Sequence, residues 1–87
     1  MSERDRVARL TPRQREIVFW HSHGFSNDEI ARLLEVSPST TRTHAQAALV
    51  RLHVHSMTGA VGVLLRAAIE ELASANGNAV VSSVAKE

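Results

Sequence analysis

The chain of 87 residues is long enough for a single domain, and its 44% hydrophobic and 22% charged residues are typical of a globular protein. It contains no cysteine, which excludes disulfides and thiolate metal sites, and its charged N-terminus excludes a secretory signal. No apolar run approaches the roughly 20 residues that span a bilayer, so we expect a cytoplasmic protein that does not enter a membrane.

The net charge of +1 conceals an uneven distribution of charges. Five arginines and one acid lie between Arg4 and Arg15, and residues 36–68 contain three arginines and three histidines but no acid. A locally positive surface supports contact with phosphates, although charge alone is equally consistent with an ordinary solvated surface. We describe residues 1–9 as a basic N-terminal arm and expect the domain itself to cover residues 10–75.

The first predicted helix covers Pro12–His23. Thr11 and Gln14 have the spacing of a capping box, in which each side chain bonds the backbone N–H of the other residue. Gly24 supplies the signal that ends the helix.

The next two predicted helices, Asn27–Leu34 and Pro38–Leu52, are separated by only three residues. Ser26 and Glu29 form a second capping box, and Ser37 is the N-cap of the later helix. Two short helices joined this tightly are typical of a helix-turn-helix unit.

The third predicted helix has two different faces. Its apolar face is expected to pack inward and comprises Thr41, Ala45, Ala48, Leu49 and Leu52. The opposite face comprises Ser39, Arg42, Thr43, Gln46 and Val50. Arg42 can donate two hydrogen bonds to guanine, Gln46 can pair with adenine, and Thr43 offers a hydroxyl and a methyl group. A merely solvated helix is the alternative, but the capped helix and tight turn before it favour a recognition helix.

The fourth predicted helix covers Thr58–Ala75 and carries more apolar surface than one buried face needs. Its stripe consists of Ala60, Val61, Leu64, Leu65, Ala68, Ile69 and Leu72, with Val63 and Ala67 at the side. The surplus predicts a homodimer through this helix, with an interface of Val61, Leu64, Leu65, Ala68 and Ile69. A helix buried on one side only is the alternative. Asn76-Gly77-Asn78 is a stop signal, after which residues 76–87 are expected to form a loose, flexible tail.

Four segments of the chain resemble the LuxR-type (GerE-like) helix-turn-helix DNA-binding domain: Leu10–Ile17, Gly24–Ala31, Ser37–His44 and Leu52–Val61. The similarity runs without gaps over Leu10–Ala68. It implies an all-α, four-helix module that binds duplex DNA, often as a dimer paired through the fourth helix. In this family the module usually follows a receiver or ligand-sensing domain.

The resemblance also implies roles for individual residues. Base contacts fall on Arg42, Thr43 and Gln46, and phosphate contacts on Ser26, Asn27, Ser39 and Thr40. His44 lies beside the reading face, where a phosphate or structural contact is expected. Four positions depart from the family pattern: Thr41 stands where Val is usual, Ala47 where Asn or another polar residue is common, Met57 where a basic residue often contacts phosphate, and His53 where Gly or Asn is usual.

The sequence therefore predicts a sequence-specific regulator of transcription, with duplex DNA as its partner. No sensor domain precedes Leu10, so we expect a regulator without its own sensor, which leaves a separate regulatory protein as a candidate partner. Two alternatives stay open: a promoter-reading region of a sigma factor, and a protein-docking module that kept the fold but lost affinity for DNA. We expect no enzymatic activity, no cofactor and no metal, because His21-x-His23 and His53-x-His55 lack the further ligands that a metal site needs.

Overall fold

Five α-helices and no strand make up residues 1–75, which are the residues that the computed structural model describes. The helices are α1 (Glu3–Ala8), α2 (Pro12–His21), α3 (Asn27–Leu34), α4 (Pro38–Leu52) and α5 (Met57–Ala75). The predicted all-α fold and its four helices are confirmed, with α3 and α4 at the predicted bounds. The tail predicted for residues 76–87 lies outside the described residues.

The starts of α2 and α3 are fixed by hydrogen bonds within each segment. Thr11 Oγ1 accepts a bond from the backbone N–H of Gln14 at 3.1 Å, and Gln14 Oε1 accepts one from the N–H of Thr11 at 3.0 Å. Ser26 and Glu29 exchange the same pair of bonds at 3.2 and 2.8 Å. Both capping boxes satisfy backbone donors that a helix start leaves without partners, which explains why these boundaries could be predicted.

Helix α1 occupies part of the segment described as a basic arm. A capping box between Ser2 and Asp5 begins it, and the Arg66 guanidinium of α5 holds it with two hydrogen bonds to the Glu3 carboxylate, both 2.9 Å long. None of its residues is buried, although Val7 packs against the core. The sequence analysis missed the short helix, although Ser2 and Asp5 have the local spacing of a capping box. The helix carries no apolar stripe, and its attachment depends on a partner 63 residues away.

The core consists of two adjoining clusters of buried side chains. The first contains Leu10, Val18, Ala48, Leu52, Ala60 and Val63, and the second contains Ile17, Ile30 and Ala45. Met57 packs against both clusters. A flexible thioether side chain is well suited to fill the irregular space between two clusters. Met57 therefore contributes to the packing between the two clusters.

Helix α5 buries a narrower stripe than the sequence pattern predicted. Ala60, Val63 and Ala67 are its buried residues, so Val63 and Ala67 lie at the centre of the inward face and not at its side. Leu65 and Ile69 remain 60% and 59% exposed. Because α5 is apolar nearly all round, its periodicity did not distinguish the inward side from the outward side.

Two helix ends adopt left-handed backbone without glycine. Glu35 ends α3 with φ +57°, and His53 ends α4 with φ +58°. In the loop between α2 and α3 the residue with positive φ is Gly24, at +88°. Side chains with a Cβ atom favour this region poorly, so both non-glycine positions hold conformational strain.

No single helix within residues 1–75 is long and apolar enough to cross a bilayer. Together, α4 and α5 have the length and apolar composition of a membrane span, but the pair is bent by 59°. Both helices contribute buried side chains to the core.

Candidate nucleic-acid interface

The packing of α4 determines which of its side chains reach the surface. Thr41, Ala45, Ala48 and Leu52 are buried against α2, α3 and α5, and Leu49 is half-buried. The opposite side carries five exposed residues: Ser39, Arg42, Thr43, Gln46 and Val50. The face of α4 predicted to pack inward is therefore the buried one, and the face predicted to point outward is exposed. The start of α3 lies at the edge of the exposed face, since Asp28 Oδ1 is 4.0 Å from Nη1 of Arg42.

The three side chains expected to contact bases lie together on this exposed face. Arg42 and Gln46 are one helical turn apart, so their side chains stack along the helix. Thr43 Oγ1 donates to the carbonyl of Ser39 at 3.0 Å, which fixes its hydroxyl while leaving the oxygen lone pairs and the methyl group at the surface. His44, at the edge of the face, is half-buried.

The hydroxyl groups expected to contact phosphates surround the starts of α3 and α4. Ser26 Oγ accepts from the backbone of Glu29, so its own hydroxyl hydrogen remains available for donation. Thr40 Oγ1 accepts from Ser37 Oγ at 2.8 Å and likewise keeps its donor. Ser39 is exposed, with its Oγ 3.3 Å from that of Ser37. These donors lie where two helix dipoles favour an anion.

Asn27 is oriented by a contact from the preceding helix. His21 Nε2 lies 2.8 Å from Asn27 Oδ1, and both residues are half-buried. Since a carboxamide oxygen can only accept, His21 is the donor, and the Asn27 amide group keeps its two N–H donors for another acceptor. His21 was considered in the sequence only as a metal ligand and discounted; in the structure it positions a residue of the candidate interface.

Not every cation of the basic stretches contributes to this surface. Arg66 is paired with Glu3, away from α4. Arg51, at the end of α4, instead meets the first basic stretch, because its Nη1 donates to the carbonyl of Arg9 at 2.7 Å. This bond joins the C-terminal end of α4 to the backbone of the first basic stretch.

Two acids at the start of α3 have different environments. The backbone N–H of Ser26, with its hydroxyl, holds the pKa of the Glu29 carboxyl below its ordinary value, because these groups stabilise the charged form. Asp28 extends toward α4, where its Oδ1 lies 4.0 Å from Nη1 of Arg42. Sequence reasoning missed this ion pair, which joins residues of two different helices and has no local signal.

The residues predicted for a dimer interface divide into two groups. Leu65, Ala68 and Ile69 are exposed on the outer side of α5. Val61 and Leu64 are half-buried and pack against the core, so they lie at the margin of the outer surface.

The paired histidines have separate neighbours. His21 contacts Asn27, whereas His23 Nδ1 lies 3.0 Å from the carbonyl oxygen of Phe19. Among the 75 described residues, no group of three or more histidine, cysteine or acidic side chains is arranged to hold a metal ion.

Comparison with known proteins identifies the family of the chain. The family model described as bacterial regulatory proteins, luxR family, matches residues 8–64. The transcriptional activator protein BjaR1 of Bradyrhizobium diazoefficiens is 38% identical over 58 residues, which are 67% of this chain and 24% of that protein. The chain thus spans about a quarter of the length of this relative. No solved structure gave a significant match. The chain belongs to the luxR family of bacterial regulatory proteins.

Proposed function

We propose that this chain regulates transcription by binding a specific sequence of duplex DNA, with α4 in the major groove. The observation that carries the proposal is the exposed outer face of α4, on which Arg42, Thr43 and Gln46 lie together. Membership of a family of regulatory proteins, and similarity to a protein named as a transcriptional activator, support the same function.

Direct reading of bases is assigned to the three side chains of this face. The Arg42 guanidinium is 59% exposed and can donate two hydrogen bonds to O6 and N7 of guanine. One turn further along, the Gln46 carboxamide matches N6 and N7 of adenine. The methyl group of Thr43 is assigned to contact the methyl group of thymine.

Phosphate binding is assigned to the groups around the two helix starts. Ser26, Asn27, Ser39 and Thr40 each carry a hydroxyl or amide donor close to the first turn of α3 or α4, and His44 lies at the margin of the same surface. Such contacts set the position of a protein on the duplex and carry little sequence information.

Pairing of two copies is assigned to α5. The exposed side chains of Leu65 and Ile69 lie beside the small, exposed side chain of Ala68, a combination that lets two helices approach closely and bury apolar surface. Val61 and Leu64 extend this surface at its margin. A two-fold arrangement through α5 would place the two α4 helices about 34 Å apart on a palindromic site.

Selection of bound fragments from a random duplex pool tests the proposed function and supplies the preferred site. On that site we expect Arg42→Ala to cost about 1–3 kcal/mol and to relax the preference at one base pair. Ser39→Ala should weaken binding to all duplexes alike, because a phosphate contact does not distinguish sequences. Equal losses on the selected site and on random DNA for Arg42→Ala would contradict its role in base reading.

The salt dependence of binding affinity distinguishes DNA binding from the alternative, a protein-docking module with the same fold. Each phosphate contact makes the logarithm of the association constant fall by roughly 0.9 per tenfold rise in salt concentration. Affinity for a mostly apolar protein surface would change little over the same range.

A further inference from the structure

We propose that Asp28 is a specificity-determining residue, which restrains the Arg42 guanidinium so that it binds guanine in preference to phosphate. This inference rests on the proposed DNA-binding function, since it assigns Asp28 a role at the same interface.

The position of Asp28 brings a negative charge to the exposed face of α4, which contains no acid of its own. The side chain is 69% exposed in the first turn of α3, directly after Asn27. Its Oδ1 lies 4.0 Å from Nη1 of Arg42. The neighbouring Glu29 is not equivalent, because its carboxylate is occupied by the capping box with Ser26. Asp28 is therefore the acid of α3 that is placed to act on a base-reading side chain.

The Asp28 carboxylate should affect binding to the preferred site and binding to a random sequence differently. A guanidinium has five N–H donors in a fixed fork, so Arg42 can give two of them to guanine and still face Asp28 with others. The ion pair then helps to orient the fork. On a random sequence Arg42 often has no guanine within reach and then binds phosphates, and the carboxylate both competes for the guanidinium and repels the phosphates. Asp28 should thus weaken random binding more than binding to the preferred site.

The expected size of this effect follows from the separation of the charges. Two unit charges 4 Å apart in water interact by about 1 kcal/mol, which corresponds to roughly a fivefold change in an equilibrium constant. Removing the charge should therefore lower the ratio of specific to random affinity by about fivefold, mainly through tighter random binding.

The alternative role for Asp28 is local. An acid in the first turn of a helix interacts favourably with the helix dipole, and this would support folding without affecting the choice of DNA sequence. The ratio of two affinities distinguishes the roles, because a change in folding stability affects binding to both duplexes equally.

The experiment titrates the parent protein and Asp28→Asn with the selected site and with a random duplex of the same length. Glu71→Gln is the matched control, since it removes one negative charge from an exposed position on α5. We expect the specificity ratio to fall about fivefold for Asp28→Asn and to stay at the parent value for Glu71→Gln. In an Arg42→Ala background, Asp28→Asn should no longer change the ratio.

Each alternative result has a defined meaning. A parent that prefers no duplex overturns the proposed function itself. A parent with a clear preference that Asp28→Asn leaves unchanged overturns the role of Asp28 alone. A fall in the ratio that persists without Arg42 also overturns it, because the effect would then not pass through that side chain. Thermal unfolding of each variant confirms that folded proteins are being compared.

Discussion

Replacing His53 by glycine should stabilise the domain, although the change removes a whole side chain. His53 ends α4 with left-handed backbone, φ +58° and ψ +43°, and its side chain is exposed. Its backbone N–H bonds the carbonyls of Leu49 and Val50, and glycine would keep these bonds. The substitution therefore changes mainly the conformational energy at one residue.

The expected gain is a difference between two opposing contributions. Left-handed backbone costs a residue with a Cβ atom about 1–2 kcal/mol, and glycine relieves this strain. Glycine also loses more conformational entropy on folding, which offsets roughly 0.5–1 kcal/mol. The net stabilisation should lie between about 0 and 1.5 kcal/mol. Its midpoint of about 0.75 kcal/mol is equivalent to a rise in Tm of about 3–6 °C for a domain of this size.

Thermal and urea unfolding followed by circular dichroism measure this change. Glu35→Gly, at the end of α3 with φ +57°, should also raise Tm because its backbone has the same conformation. Gly24→Ala is the converse control: an added Cβ would meet no atom within 4 Å, yet the backbone φ of +88° should make it destabilising. A lower Tm for His53→Gly, or an unchanged Tm for Gly24→Ala, would refute the strain argument.

Three further predictions concern the interface, the pH dependence and assembly. His21→Gln should bind DNA nearly as the parent does, because an amide can still donate to Asn27, whereas His21→Leu should bind all duplexes about fivefold more weakly in titrations. The lowered pKa of Glu29 means that its carboxylate stabilises the fold above its ordinary pKa of 4.5, and this contribution is lost as the pH falls below that value. Glu29→Gln keeps the acceptor, so its unfolding free energy should decrease less than that of the parent between about pH 5 and pH 3. Leu65→Asp should sediment as a monomer at micromolar concentration. Ser74→Asp, on the opposite side of α5, should still sediment as a dimer. A parent protein that is monomeric with and without DNA would contradict the dimer.

Most of the fold could be predicted because its helix starts are local. The capping boxes at Thr11 and Ser26 use residues three positions apart, so the sequence contains the whole interaction. The outward face of α4 was predictable for a similar reason, since helical spacing separates Arg42 and Gln46 from the buried Ala45.

The features that escaped prediction depend on distant or ambiguous contacts. Helix α1 has a local capping box at Ser2, but its attachment to α5 depends on the bond between Glu3 and Arg66, which no local pattern reveals. The inward side of α5 was misjudged because apolar residues surround this helix. The ion pair of Asp28 and Arg42 needs the relative placement of α3 and α4, which the sequence does not specify directly.

The contact between α1 and α5 means that the two ends of the described chain should be exchanged together between related proteins. Residues 3–7 and 65–75 lie outside the segment that matches the family, yet they include both partners of the Glu3–Arg66 bridge. A chimera that received only the second half of α5 from a relative would leave Glu3 facing a foreign surface. Recombination or design should therefore transfer both segments together, although more than fifty residues of the conventional domain separate them along the chain.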